Sequence, residues 1–152
     1  MFTQLNVVRQ TNVGSQVYEK AQRLFNAALL RGNLLMAING LLGRRSGLKA
    51  LPGFGGYCSA YSRGLVTVPI RRIIGSENRI RDYDRHFHPL NEHARARWLN
   101  VALTLLRERA LPPVELIEAD GFYYIRDGHH RVSVASALGQ MDVEAFVTVW
   151  ER

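Results

Sequence analysis

The sequence predicts an α+β fold: a small mixed sheet with packed helices, preceded by an N-terminal helical segment. Three observations carry that expectation. Two short β-rich runs, VELIE and FYYIR, flank Ala119, Asp120 and Gly121, and an Asp-Gly pair between such runs signals a hairpin. The stretch that follows has helical texture from near His129 to Gly139, a glycine suited to the C-terminal cap. Val143, Ala145, Val147 and Val149 then alternate along a final strand.

Each remaining element has its own justification. Gln16 to Leu30 sets Val17, Ala21, Leu24 and Ala28 on one face, with Glu19, Lys20, Gln22 and Arg23 opposite, which predicts an amphipathic helix. Gly32 and Asn33 are expected to end it, and LLMAING continues as an apolar helical piece. GRRSGLKALPGFGG is basic and glycine-rich and reads as a connector, so the expected organisation is a segment 1–64 followed by a domain 65–152. LVTVPI is a short strand ended near Pro69, and RRIIGSENRIRDYDRHFHPL has no period and reads as loop with one turn of helix. Asn91 to Ala110 carries Ala94, Trp98, Val101, Ala102 and Leu105 on one stripe, a helix that Asn91 is suited to cap and that Pro112 and Pro113 stop.

With 47% hydrophobic residues, 152 residues suffice for one sizeable core. Twenty basic residues against 13 acidic give a formal charge of +7, which favours anionic partners without choosing among nucleic acid, nucleotide and acidic lipid. The lone Cys58 excludes an internal disulfide framework and fits a reducing cytoplasm, the expected location. No charged start leading into an apolar run and cleavage site occurs. Arg31, Asn33 and Asn39 interrupt the apolar region Ala27 to Leu42, so no membrane span is expected.

The chemistry concentrates in IRDGHHRVSVASALG, Ile125 to Gly139. A helix starting near His129 presents unpaired amides and the positive end of its dipole, a natural anion site, and Gly128 would let a ligand approach the backbone. Placing His129, His130 and Arg131 there is unfavourable, by about 0.3–1 kcal/mol for each charged group, unless an anion offsets it. The competing structural reading has Asp127 capping the helix and pairing with Arg131, with neutral histidines filling space. From the residues alone the two readings stand level.

The stretch YYIRDGHHRVSVASALGQMDVEAFVTVW resembles the core of the ParB/sulfiredoxin superfamily, in which a strand enters a Gly-x-x-Arg or Gly-x-His-Arg loop, an alanine-rich helix, a Leu-Gly end and a last strand. With VTVPIRRIIGSENRIRD, the Trp98 helix and LPPVELIEADGFYYI upstream, the resemblance spans about Leu65 to Trp150. Against the CTP-holding loop of chromosome-partition ParB proteins, Gly128 and Arg131 match while His129, His130 and Ser133 differ. Against sulfiredoxins, Gly128, His130 and Arg131 match, and His129 replaces the nucleophilic cysteine. Asp127, Gly128, His130 and Arg131 all match the Asp-Gly-x-His-Arg loop of archaeal free-serine kinases. The longer pattern IIGSENRIRDYDRHF, LPPVEL, RDGHHRVSVA is similar to a bacterial ParB-like group, a likeness that carries no reaction with it.

The resemblance implies a phosphate or nucleotide site at Gly128, His129, His130 and Arg131, with Arg79 and Arg81 on a second phosphate-contacting loop. Glu77, Asp127 and His130 are the candidate catalytic groups, with Asp82 a further carboxylate that could act as base. ATP, ADP or CTP with Mg²⁺ is the implied ligand, and the implied activity is a phosphotransferase or nucleotide hydrolase, or else non-catalytic binding of DNA in the ParB manner. A nucleotide or phosphorylated small molecule is the expected partner, a homo-oligomer is compatible with the N-terminal helices, and no membrane partner is expected. His86 and His88 lack the companion spacing of a metal site, so no metal ligands are assigned.

Overall fold

The computed structural model describes the backbone of residues 2–152 and the side chains of residues 13–152. A single helix, α1 (Phe2–Leu41), replaces the two helical pieces expected on either side of Gly32. The reason is steric. A Cβ at Gly32 would lie 2.9 Å from both His88 Cβ and the Pro89 carbonyl oxygen, so this glycine lets the 85–90 loop close against an unbroken helix. By length and composition alone Val13–Leu41 is apolar enough to cross a membrane, with a mean hydropathy of 1.2. One of its faces is spent on the fold, through buried Ala21, Phe25, Ala28 and Gly32.

A two-residue strand, β1 (Lys49–Ala50), is followed by β2 (Ser59–Pro69), β3 (Ile73–Ser76), α2 (Arg95–Leu106), β4 (Val114–Ala119), β5 (Phe122–Asp127), α3 (His129–Ala137) and β6 (Asp142–Glu151). The six strands form one mixed sheet in the order β1-β3-β5-β4-β6-β2. Neighbours pair parallel at β1/β3, β3/β5 and β4/β6, and antiparallel at β4/β5 and β2/β6. The α+β class with a mixed sheet is therefore the observed one. Asp120 and Gly121 sit at φ 53° and 81° between paired Ala119 and Phe122, the left-handed pair that a two-residue Asp-Gly turn needs.

Three boundaries differ from expectation. β2 begins at Ser59, just after the glycine-rich connector, and pairs with β6 along its length, so position 64/65 falls within a strand. IIGS forms β3 where a loop was expected. Helix α2 is preceded by a 3₁₀ turn, Glu92–Ala94, without a side-chain cap from Asn91, and it stops at Leu106 because Glu108 turns left-handed at φ 55°.

The apolar material divides into two main bodies. One fills the space between sheet and α3, with Val68, Ile73, Leu116, Ile125, Val132 and Val147. The other lies among the helices, where Phe25, Trp98, Ala102 and Val134 meet. Small residues in VSVASA let α3 pack against the sheet through Val132 and Ala135 and against α2 through Val134. The start of α3 is thereby fixed on both sides, and the site residues are held by it.

Candidate functional site

Gly128, at φ 104°, turns β5 into α3, and no side chain caps the helix. A Cβ added there would lie 2.6 Å from Val114 Cγ1 and 2.9 Å from Val114 Cβ. Backbone conformation and the approach of β4 both call for glycine at this position.

The three side chains after it turn into the protein. His129 is buried, with Nε2 2.6 Å from Ser76 Oγ. That hydroxyl accepts the amides of Asn78 and Arg79 at 3.2 and 3.0 Å, and we assign its proton to the imidazole at 2.6 Å over the Ile125 carbonyl at 3.4 Å. Burial first, then Arg79 and His130, pushes His129 down to about 4, so it is neutral at pH 7. Arg131 donates to the carbonyls of Pro112 and Pro113 at 2.6 and 2.7 Å and to Asp127 Oδ2 at 2.7 Å. Its guanidinium clamps the approach to β4, so it and Asp127 form a structural pair. His129 and Arg131 thus each have partners within the protein, and Asp127, 69% exposed, pairs with Arg131 through Oδ2.

His129 carries a pH prediction. Because its affinity for a proton falls from 6.5 in the unfolded chain to about 4 in the fold, its contribution is full above pH 6.5 and is lost as pH falls from 6.5 toward 4. The loss at the acid end is on the order of 3 kcal/mol. His130, also lowered, adds in the same direction, whereas Asp84 acts below the ordinary carboxylate value. Denaturant midpoints measured across that window are expected to fall steeply in the wild type and less steeply in His129→Gln; equal slopes would contradict the assignment.

His130 behaves differently. Its Nδ1 lies 2.7 Å from the Tyr83 hydroxyl, which burial pushes up and keeps protonated. We assign Tyr83 as donor to Nδ1, which leaves Nε2–H on His130 as a donor. Burial, then Arg79 and Arg97, lowers His130 as well. It lines a cavity of about 130 Å³ together with Arg79, Asp82, Tyr83, Asn91, His93, Ala94 and Arg97. Two arginines and two histidines thus line it with one carboxylate residue, Asp82, which lies 3.5 Å from Arg79.

Of the residues expected from sequence, Arg79 and His130 meet at this cavity. Arg81 is exposed and does not line it. Glu77 pairs with Arg126 at 3.4 Å and lies outside it. Sequence reasoning missed His93, in the 3₁₀ turn before α2, and Arg97, in the first turn of α2, which lie four residues apart. It also missed Asp84, which is buried and organises the loop between β3 and α2. Its carboxylate accepts the amides of His86 and His88, each at 2.9 Å, and bonds His88 Nδ1 at 2.8 Å. Burial opposes its charge, but these bonds hold it below the ordinary carboxylate value. Among the described residues, no three His, Cys, Asp or Glu side chains gather as a metal would require.

The chain matches no family model and no curated protein. Among solved structures it is similar to the crystal structure of sulfiredoxin from Arabidopsis thaliana, at 22% identity and a TM-score of 0.42, over 55% of this chain and 82% of that one.

Proposed function

We propose that the protein binds an oxyanion, the phosphate of a nucleotide or of a phosphorylated small molecule, in the cavity bounded by Arg79, His93, Arg97 and His130. The observation that supports this is the convergence of those four donors on about 130 Å³ of space with only Asp82 to balance them. A volume of this size suits a single phosphoryl group rather than a whole nucleotide, so the remainder of the ligand would extend outward. The uncapped start of α3, a nine-residue helix, adds its positive end close by, because His130 belongs to both.

The roles follow from the donors. Arg79 and Arg97 supply fixed positive charge, with the fork geometry that suits phosphate oxygens. Neutral His130 donates through Nε2–H, held in orientation by Tyr83. Asp82 pairs with Arg79 at 3.5 Å and is the carboxylate that lines the cavity, so it, rather than Glu77 or Asp127, would take a proton from a hydroxyl beside a phosphoryl group bound there. A Mg²⁺ ion arriving with a nucleotide would find one protein carboxylate there, its other ligands being phosphate and water.

Calorimetry with inorganic phosphate, ATP, ADP and CTP, with and without Mg²⁺, tests the reading. Binding is expected, weakened at least tenfold in Arg97→Ala, since a charge-assisted hydrogen bond contributes about 1.5–3 kcal/mol. Arg131→Ala should lower thermal stability while leaving the cavity's affinity within a few fold. Failure of every ligand to bind, or equal affinity in wild type and Arg97→Ala, would overturn it.

A further inference from the structure

A much larger cleft, about 1290 Å³, opens at the other end of α3, between the last turn of α1, the residues leading into β1, the start of β3 and the loop at residues 85–87. Five cations line it: Arg44, Arg45, Lys49, Arg71 and Arg85. All five are exposed, and among the described residues none has a carboxylate within 4.0 Å. Elsewhere Arg23, Arg63, Arg79, Arg95, Arg126, Arg131 and Arg152 each have such a partner, while Arg31, Arg72, Arg81, Arg97, Arg107 and Arg109 do not, so what distinguishes these five is that they gather on one concave surface.

The structural explanation for these charges is compensation of helix ends, and it is too small. Met36 and Gly40 bring the C-terminal turns of α1 to the wall, and Ser136 and Gln140 bring the end of α3. Two helix C-termini contribute together roughly one negative charge. With Asp142, the one carboxylate of the lining, about two of the five positive charges are offset and about three remain. Like charges converging on a concave surface repel one another unless an anion joins them.

The lining also has an apolar part, beside the polar Ser46, His86, Ser136 and Gln140. Met36 and Ile74 are half-buried, Met141 is 71% exposed, and Leu48, Ile70 and Phe87 close the floor. Pockets for drug-sized molecules span about 300–1,000 Å³, so this cleft admits a body longer than one phosphate group. We propose that it binds an amphiphilic polyanion: a head carrying two or more phosphate charges held by Arg44, Arg45, Lys49, Arg71 and Arg85, with an apolar body against Met36, Ile74 and Met141. The source of that chemistry is either a free molecule or the headgroup and chains of an anionic lipid. The cleft shares no lining residue with the Arg79–Arg97 cavity, so the two assignments stand or fall separately.

The test titrates the full chain with monomeric farnesyl diphosphate, inorganic pyrophosphate and farnesol, and with phosphatidylglycerol vesicles against phosphatidylcholine vesicles. Saturable binding of farnesyl diphosphate is expected, at least tenfold tighter than either pyrophosphate or farnesol alone. In the double variant R44E/R71E, both positions exposed, that binding is expected to fall at least tenfold with an unchanged melting temperature, while phosphate binding at the Arg79–Arg97 cavity persists. Binding to phosphatidylglycerol vesicles but not to the monomer, again lost in R44E/R71E, identifies the lipid source. No saturable binding to either, equal binding by wild type and double variant, or tighter binding of a short single-stranded oligonucleotide than of any amphiphile would each overturn the proposal.

Discussion

Trp98→Ala is expected to destabilise the protein by about 4 kcal/mol, a large share of the 5–15 kcal/mol that holds an ordinary domain together. Trp98 has no solvent exposure. Its ring meets Phe25 of α1 edge to face at 5.4 Å, and its Nε1 donates to Ser133 Oγ of α3 at 2.9 Å. Ser133 in turn donates to the Phe87 carbonyl at 2.6 Å, so one indole ties α1, α2, α3 and the 85–90 loop together. Alanine leaves a void at that junction but no orphaned donor, because Ser133 keeps Phe87. The cost is thus mainly packing. Trp98→Phe should recover more than half of it, and chemical denaturation of the three proteins measures both. Arg97 is the neighbouring residue, so anion affinity at the cavity is expected to fall in Trp98→Ala even where the chain remains folded.

Gly128→Ala is expected to cost about the same, for a different reason. A left-handed conformation at φ 104° strains any residue with a Cβ, by about 1–3 kcal/mol. The new methyl would also meet Val114, a β-branched side chain only 2% exposed, at 2.6 Å, and such overpacking adds about 1–3 kcal/mol. Val114 begins β4 in the middle of the sheet and has no free direction to move. A melting temperature for Gly128→Ala within a degree or two of the wild type would show that the turn is not under this constraint.

Much of the C-terminal half is legible in the sequence because local and tertiary demands agree there. Asp120-Gly121, the cap at Gly139 and the alternation from Val143 to Val149 each have one physical solution, and the fold adopts it. The N-terminal half is less legible. Gly32 is a breaker by propensity, yet here its missing side chain is what the His88–Pro89 contact needs, and helix length follows packing rather than propensity. Ser59 to Ser62 lie on an edge strand, exposed, so they show no alternation to detect. IIGS is four residues long, too short for any period.

The candidate site was legible as a place and not as a mechanism. DGHHR marks the turn into α3, but three of its members answer internal demands: Gly128 a backbone one, His129 a buried hydroxyl, Arg131 two carbonyls. Of these only His130 lines the cavity, and the residues that complete it come from the loop after β3, the 3₁₀ turn at Glu92–Ala94 with Asn91 before it, and α2. No local pattern announces an arginine such as Arg97, because its meaning depends on α2 docking against α3 through Trp98.

The central claim is that the anion site is the cavity beneath Arg79 and Arg97 rather than the loop side of Arg131. Locating a heavy oxyanion such as tungstate by anomalous scattering in crystals of the protein tests it most directly. The expected result includes a site within hydrogen-bonding distance of Arg79, Arg97 and His130, with the Arg131 bonds to Pro112 and Pro113 intact. An anion held by Arg131 with those bonds broken, or a cavity that stays empty at saturating tungstate, would contradict it.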